Sequence, residues 1–148
     1  MATNIVGISE MASLGLHTMA LLARHRDRHI SNVELATTLH ASGNTLAKVL
    51  PRLARAGLIE SVRGPRGGFT LARAAECISL LDIYEAIEGP IGTGGCLLGS
   101  PVCSGPGCPL GGLVQSVHQQ IRNTFASTSL AQLADSLPFD LSDTHAVA

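Results

Sequence analysis

The sequence is poor in aromatic residues: its 148 positions hold no tryptophan, one tyrosine and three phenylalanines. That scarcity argues against a platform of rings on which unpaired bases could stack, so single-stranded nucleic acid is not the expected partner. Long apolar runs are missing too, and none reaches the roughly eighteen residues of a membrane-spanning helix. The opening "MATNIVGISE" has no basic stretch followed by an apolar one. The expectation is a cytoplasmic protein with no membrane partner, in whose reducing surroundings the four cysteines stay thiols. Enzyme signatures are lacking as well. The six histidines form no H-E-x-x-H pair, and the "GPRGG" at 64–68 does not join a strand to a helix as a phosphate loop does. No enzymatic activity is expected.

Positive charge is also scarce, outside one region. Nine of the ten basic residues lie between Arg24 and Arg73, where only Asp27, Glu34 and Glu60 oppose them, a surplus of six. Everywhere else Arg122 stands against eight acids. A net charge of −1 thus conceals a basic segment joined to an acidic one, the footprint of a phosphate-gripping module attached to a part with another task.

Apolar periodicity organises the basic segment. Leu14, Met19, Leu22 and Ala23 recur at helical spacing in a first helix over about 9–25. "SNVE" at 31–34 has the form of a capping box and opens a short helix to about His40. After a turn at "ASG" (41–43), a third helix runs from about Asn44 to Ala56, with Leu46, Val49, Leu50 and Leu53 on one face and Gly57 ending it. Pro51 lies inside that helix, so a kink or tightened turn is expected there. Two helices joined tightly, the second bearing Lys48, Arg52 and Arg55, make a helix-turn-helix. "LIESVRGPRGGFTLARA" (58–74) then reads as strand, glycine-rich turn and strand, a wing with Arg63 and Arg66 at its tip.

The wing signature "SVRGPRGGF", the helix "SLLDIYEAIEG", a cysteine-rich loop and a long late helix together resemble the Rrf2 family of bacterial winged-helix regulators, the group that includes IscR and NsrR. The resemblance covers nearly the whole chain. It implies a mainly α fold with a small β-hairpin: a winged helix-turn-helix domain over 1–89, a sensor loop over 90–111, a dimerisation helix and short C-terminal helix over 112–137, and a tail over 138–148. It also implies a homodimer on palindromic double-stranded DNA. The family's DNA contacts fall on Ser42, Asn44 and Lys48, with Thr45 beside them. Side-chain chemistry picks the same helix start. An asparagine amide pairs bidentately with adenine, a lysine reaches guanine or phosphate, and a serine just ahead of a helix also serves as its cap. Arg52, Arg55, Arg63 and Arg66 suit phosphate positioning.

Beyond the wing, Ser79 and Asp82 cap a helix carrying Leu80, Ile83, Tyr84 and Ile87. From Gly112 to about Ala126 an apolar stripe of Leu113, Val114, Val117, Ile121 and Phe125 follows, and "SLAQ" (129–132) restarts a short helix. With the winged domain complete by residue 88, that stripe is expected to pack on a partner's copy.

Between them "GTGGCLLGSPVCSGPGCPLGG" (92–112) carries Cys96, Cys103 and Cys108 in a C-x6-C-x4-C spacing unlike the paired knuckles of structural zinc sites. The resemblance implies an iron–sulfur cluster, 2Fe-2S or 4Fe-4S, held by these three cysteines. Relatives supply a fourth ligand from a histidine after the last cysteine or a carboxylate near the start of the partner's first helix. Here Gly111 and Ser13 occupy those registers, which leaves Glu10 as the nearest carboxylate, with His29 or His40 after it. Thiol oxidation to a disulfide is the alternative chemistry for the loop, and a non-sensing or zinc loop a further one. Cys77, beside Ile78, is expected to be a small buried hydrophobe.

Overall fold

The computed structural model describes residues 8–92, 102–103, 107–138 and 141. In chain order these form α1 (Glu10–Arg24), α2 (Asn32–Thr38), α3 (Gly43–Arg55), β1 (Ile59–Val62), β2 (Gly68–Leu71), α4 (Leu80–Glu88), α5 (Pro109–Ser127) and α6 (Leu130–Ser136). A single turn of 3-10 helix, Ala75–Cys77, precedes α4. Serine opens five of the six α-helices. Ser9, Ser31, Ser42, Ser79 and Ser129 each accept a hydrogen bond from a backbone amide in the first turn, and at Ser31, Ser79 and Ser129 the residue three positions on reaches back to complete a capping box.

α1 is the centre of the molecule and packs against α3, α4, β2 and α6. Gly15 lets α4 approach closely, since a Cβ there would lie 3.1 Å from Ile87 Cγ1. The core joins Met19, Leu21 and Leu22 of α1 to Leu46, Val49 and Leu53 of α3, Ile83 and Ile87 of α4, and Leu130 and Ala134 of α6. α6 therefore shares the core of the helices that precede it. It is tied to them by an isolated β-bridge between Ser79 and Ser129, in which the Leu130 amide donates to the Ile78 carbonyl and the Leu80 amide to that of Thr128. Arg24 adds a hydrogen bond to the Leu137 carbonyl at 2.6 Å.

β1 and β2 form an antiparallel hairpin in the register Ile59 opposite Leu71 to Val62 opposite Gly68. β2 is held on its outer edge by Ile30, which exchanges two backbone hydrogen bonds with Phe69. At Gly68, φ is +147°, and a Cβ would lie 2.5 Å from the Ile30 carbonyl oxygen, so only glycine brings the strand this close to the α1–α2 linker.

Pro51 leaves α3 unbroken from Gly43 to Arg55 and lies on its exposed side together with Ala47, so the carbonyl deprived of its intrahelical donor faces water. Two expectations need correction. α5 begins at Pro109, three residues earlier than its apolar stripe suggests, because proline suits the first helical position. Cys77 is exposed rather than buried, since it ends the 3-10 turn while its neighbours Ala75 and Ile78 point inward.

Candidate nucleic-acid interface and cysteine loop

α3 and the hairpin put the basic residues to different uses. Five of the nine clustered cations have partners within the chain. Arg24 bonds the Leu137 carbonyl, Arg26 pairs with Glu76 at 3.0 Å, Arg28 pairs with Glu34 at 3.0 Å, and Arg73 bonds the Cys77 carbonyl. Arg52 donates from Nη1 to the Ile87 carbonyl at 2.5 Å, which ties the outer side of α3 to the end of α4. Lys48, Arg55, Arg63 and Arg66 are exposed and have no hydrogen-bond or ion-pair partner among the described residues. Asn44, Lys48 and Arg55, at spacings of four and seven, share the face of α3 opposite Leu46, Val49 and Leu53. Arg63 and Arg66 flank the hairpin tip, where the Gly67 amide closes the turn onto the Gly64 carbonyl at 2.9 Å.

Ser42 and Thr45 sit at the start of the same helix and are joined to each other. The Ser42 hydroxyl accepts from the Thr45 amide at 3.1 Å and lies 2.8 Å from the Thr45 hydroxyl. Ser42 is thus the N-cap of α3. The preceding turn contains His40 at φ +49°, a left-handed position uncommon outside glycine that histidine shares with asparagine and aspartate.

Glu34 carries an electrostatic signature. The Ser31 amide and the Arg28 guanidinium beside it hold its carboxyl below the ordinary glutamate range. Arg26 does the same for Glu76. At Tyr84, burial and then the Glu88 charge push the hydroxyl up, and its ring lies 5.9 Å from that of Phe125, a contact that joins α4 to α5. Glu88 in turn accepts from the hydroxyl of Ser9, the cap of α1.

Of the loop cysteines, Cys103 and Cys108 are exposed free thiols, and Cys96 lies outside the described residues. Cys108 holds the N-cap position of α5, follows Gly107 at φ +96°, and makes no capping bond. Glu10 is the exposed first residue of α1 and lines a cleft of about 300 Å³ with Ser13, His17 and His40. Among the described residues no three His, Cys, Asp or Glu side chains gather into a metal-holding group. The two described thiols are soft donors of the kind an iron–sulfur cluster takes, and among the described residues no further His, Cys, Asp or Glu donor gathers with them.

The family described as "Rrf2: Iron-dependent Transcriptional regulator" matches residues 8–136. The chain belongs to the Rrf2 family. The IscR transcriptional regulator of Cereibacter sphaeroides is 39% identical over 77 residues, about half of each chain. The CymR regulator of Bacillus subtilis is 35% identical over 85 residues, 57% of this chain and 62% of CymR. Among solved structures, an oxidized form of Staphylococcus aureus CymR superposes with a TM-score of 0.72 at 29% identity, covering 89% of this chain and 98% of that one. The winged-helix architecture and the role of a DNA-binding transcriptional regulator, not an enzyme, follow for this Rrf2 protein. No helix among the described residues is long and apolar enough to cross a membrane.

The sequence left two features unseen. Arg26 meets Glu76 and Arg52 meets Ile87 across 50 and 35 residues of chain, and no local pattern announces such pairs. The capping boxes, in contrast, are four-residue patterns and are legible.

Proposed function

We propose that this Rrf2 protein is a homodimer that binds palindromic double-stranded DNA and reads redox, nitric-oxide or iron–sulfur status through Cys96, Cys103 and Cys108. The observation that carries the DNA reading is the set of unpartnered cations on one helix face and one hairpin tip. In this reading α3 enters the major groove, where Asn44 and Lys48 meet base edges and Ser42 and Thr45 sit at the groove-facing start of the helix. Arg55 and the outer nitrogens of Arg52 hold phosphates, and Arg63 and Arg66 lie along the flanking backbone or in the minor groove.

Dimerisation is supported by α5. Only its Gly111 is buried, while Leu110 and Leu113 are 55% and 61% exposed. A helix with this apolar edge and so little of its own chain to cover is stabilised by a second copy. Two copies present two recognition helices, and an inverted repeat follows from their symmetry.

For the sensor, Cys96, Cys103 and Cys108 would hold the cluster, 2Fe-2S or 4Fe-4S, with Glu10 of the partner subunit as fourth donor. Bound there, the cluster would supply redox-active iron. The chain's own part is the coupling: Cys108 is the residue on which α5 starts, so a change at its sulfur acts at the end of the dimer helix. A second reading is favoured by the free, exposed state of Cys103 and Cys108 and by a relative that adopts an oxidized form. Here two thiols give two protons and two electrons to a peroxide, an S–S bond forms, and no metal takes part.

One experiment separates these readings. Protein purified without oxygen is examined for its visible spectrum and its iron and sulfide content, and DNA binding is measured before and after air or nitric oxide. A coloured, iron-bearing dimer whose DNA affinity changes on exposure is the expected result. A colourless protein that responds to peroxide but not to nitric oxide identifies the thiol switch, and unchanged affinity under every treatment refutes sensing by this loop. Cys96→Ala, Cys103→Ala or Cys108→Ala abolishes the response, whereas Cys77→Ala leaves it intact.

A further inference from the structure

A cleft of about 640 Å³ opens between the residues that follow α4 and the middle of α5. Its volume falls within the range of small-molecule sites. We propose that it binds a small polar organic acid bearing a single carboxylate, with Arg122 as the anchor.

Arg122 is the only basic residue outside the segment from Arg24 to Arg73. It lines this cleft and has no hydrogen-bond or ion-pair partner among the described residues. A guanidinium fork matches a carboxylate with two parallel hydrogen bonds. Charge balance selects a monoanion. One cation compensates one carboxylate, whereas a doubly charged phosphate would leave a negative excess in the part of the chain that already holds eight acids against Arg122.

The rest of the lining reads a polar body. Gln115, Ser116 and Gln119 follow one another at spacings of one and three on a single face of α5 and offer neutral donors and acceptors. The Gln119 amide nitrogen is engaged with Asn123 at 3.0 Å, which fixes that side chain and leaves its oxygen as the acceptor. Ile91 supplies the apolar wall. His118 also lines the cleft, and its Nδ1 is out of solvent without a hydrogen-bond partner, an unmet polar atom of the kind that marks a site missing a component. Gln115, Gln119 and Arg122 project from a different side of α5 than Leu110, Leu113 and Val117, with Ser116 at the boundary beside Leu113, so a second copy seated on the apolar edge leaves the Arg122 end of the cleft open.

The test uses the full chain and ligand-observed saturation-transfer NMR with L-lactate, 3-hydroxybutyrate and glycolate, together with inorganic phosphate followed by its phosphorus linewidth. The expected result is saturation of at least one hydroxy acid by the wild type, weakened by about tenfold or more in Arg122→Gln. Loss in Gln119→Trp, which fills the cleft without changing charge, and retention in Arg26→Ala complete the pattern. Circular dichroism verifies that both α5 variants are folded. No binding of any hydroxy acid, equal binding to Arg122→Gln, or phosphate bound as well as the acids each overturns the proposal.

Discussion

At the scale of single residues, the decisive division is between cations that point at their own chain and cations that do not. Arg24, Arg26, Arg28, Arg73 and, through one nitrogen, Arg52 hold helix ends and acids in place, while Lys48, Arg55, Arg63 and Arg66 have no partner among the described residues and form the set proposed for an external polyanion. Replacing both Arg63 and Arg66 by alanine should flatten the slope of log affinity against log salt on duplex DNA by about two, since each phosphate contact contributes about 0.9. Fluorescence anisotropy over a salt series measures it. Asn44→Ala should cost about 1–3 kcal/mol on the preferred inverted repeat and little on random duplex. Glu34 gives a pH signature. Its carboxyl is depressed in the folded chain by the Ser31 amide and Arg28, so its contribution to stability is present above the ordinary glutamate range and disappears as pH falls through the lower folded value. Glu34→Gln should therefore reduce the loss of thermal stability between neutral pH and about pH 3, followed by calorimetry. The surplus of positive charge was legible in the sequence, but its division into paired and free arginines was not, because the partners lie far along the chain or are backbone carbonyls that no composition reveals.

At the scale of elements, the serine caps and the hairpin were readable because each is a local rule: a hydroxyl before an amide, a glycine where φ is positive. Ser42 illustrates how such a rule overlaps with function, because its oxygen already caps α3. Ser42→Ala should lower the stability of the fold by about 1 kcal/mol in urea titration, whatever happens to DNA affinity. α6 was legible as a helix but not as core, since only tertiary packing places Leu130 and Ala134 against α1. Leu130→Ala should cost about 2–5 kcal/mol, and the winged unit and α6 should still unfold in one transition. A variant that melts in two steps would show α6 to be an appendage. The hydrogen bond from Arg52 to the Ile87 carbonyl connects α3, the proposed recognition helix, to the last turn of α4.

At the scale of the whole molecule, α5 connects the two tasks. It starts on Cys108, bears an exposed apolar edge, touches α4 through Phe125 and Tyr84, and is fastened at its far end by the Ser79–Ser129 bridge. That edge carries the proposed dimer. Leu110→Glu combined with Leu113→Glu should convert a dimer to a monomer in analytical ultracentrifugation without unfolding the winged unit, since both side chains are exposed within the chain. The most direct test of the central claim compares two charge-removal sets on random-sequence duplex across a salt series. Alanine at Lys48, Arg55, Arg63 and Arg66 should weaken binding steeply and flatten the salt dependence, whereas alanine at Arg26 and Arg28 should leave both nearly unchanged. Equal losses from the two sets, or wild-type affinity that ignores salt, would contradict the account.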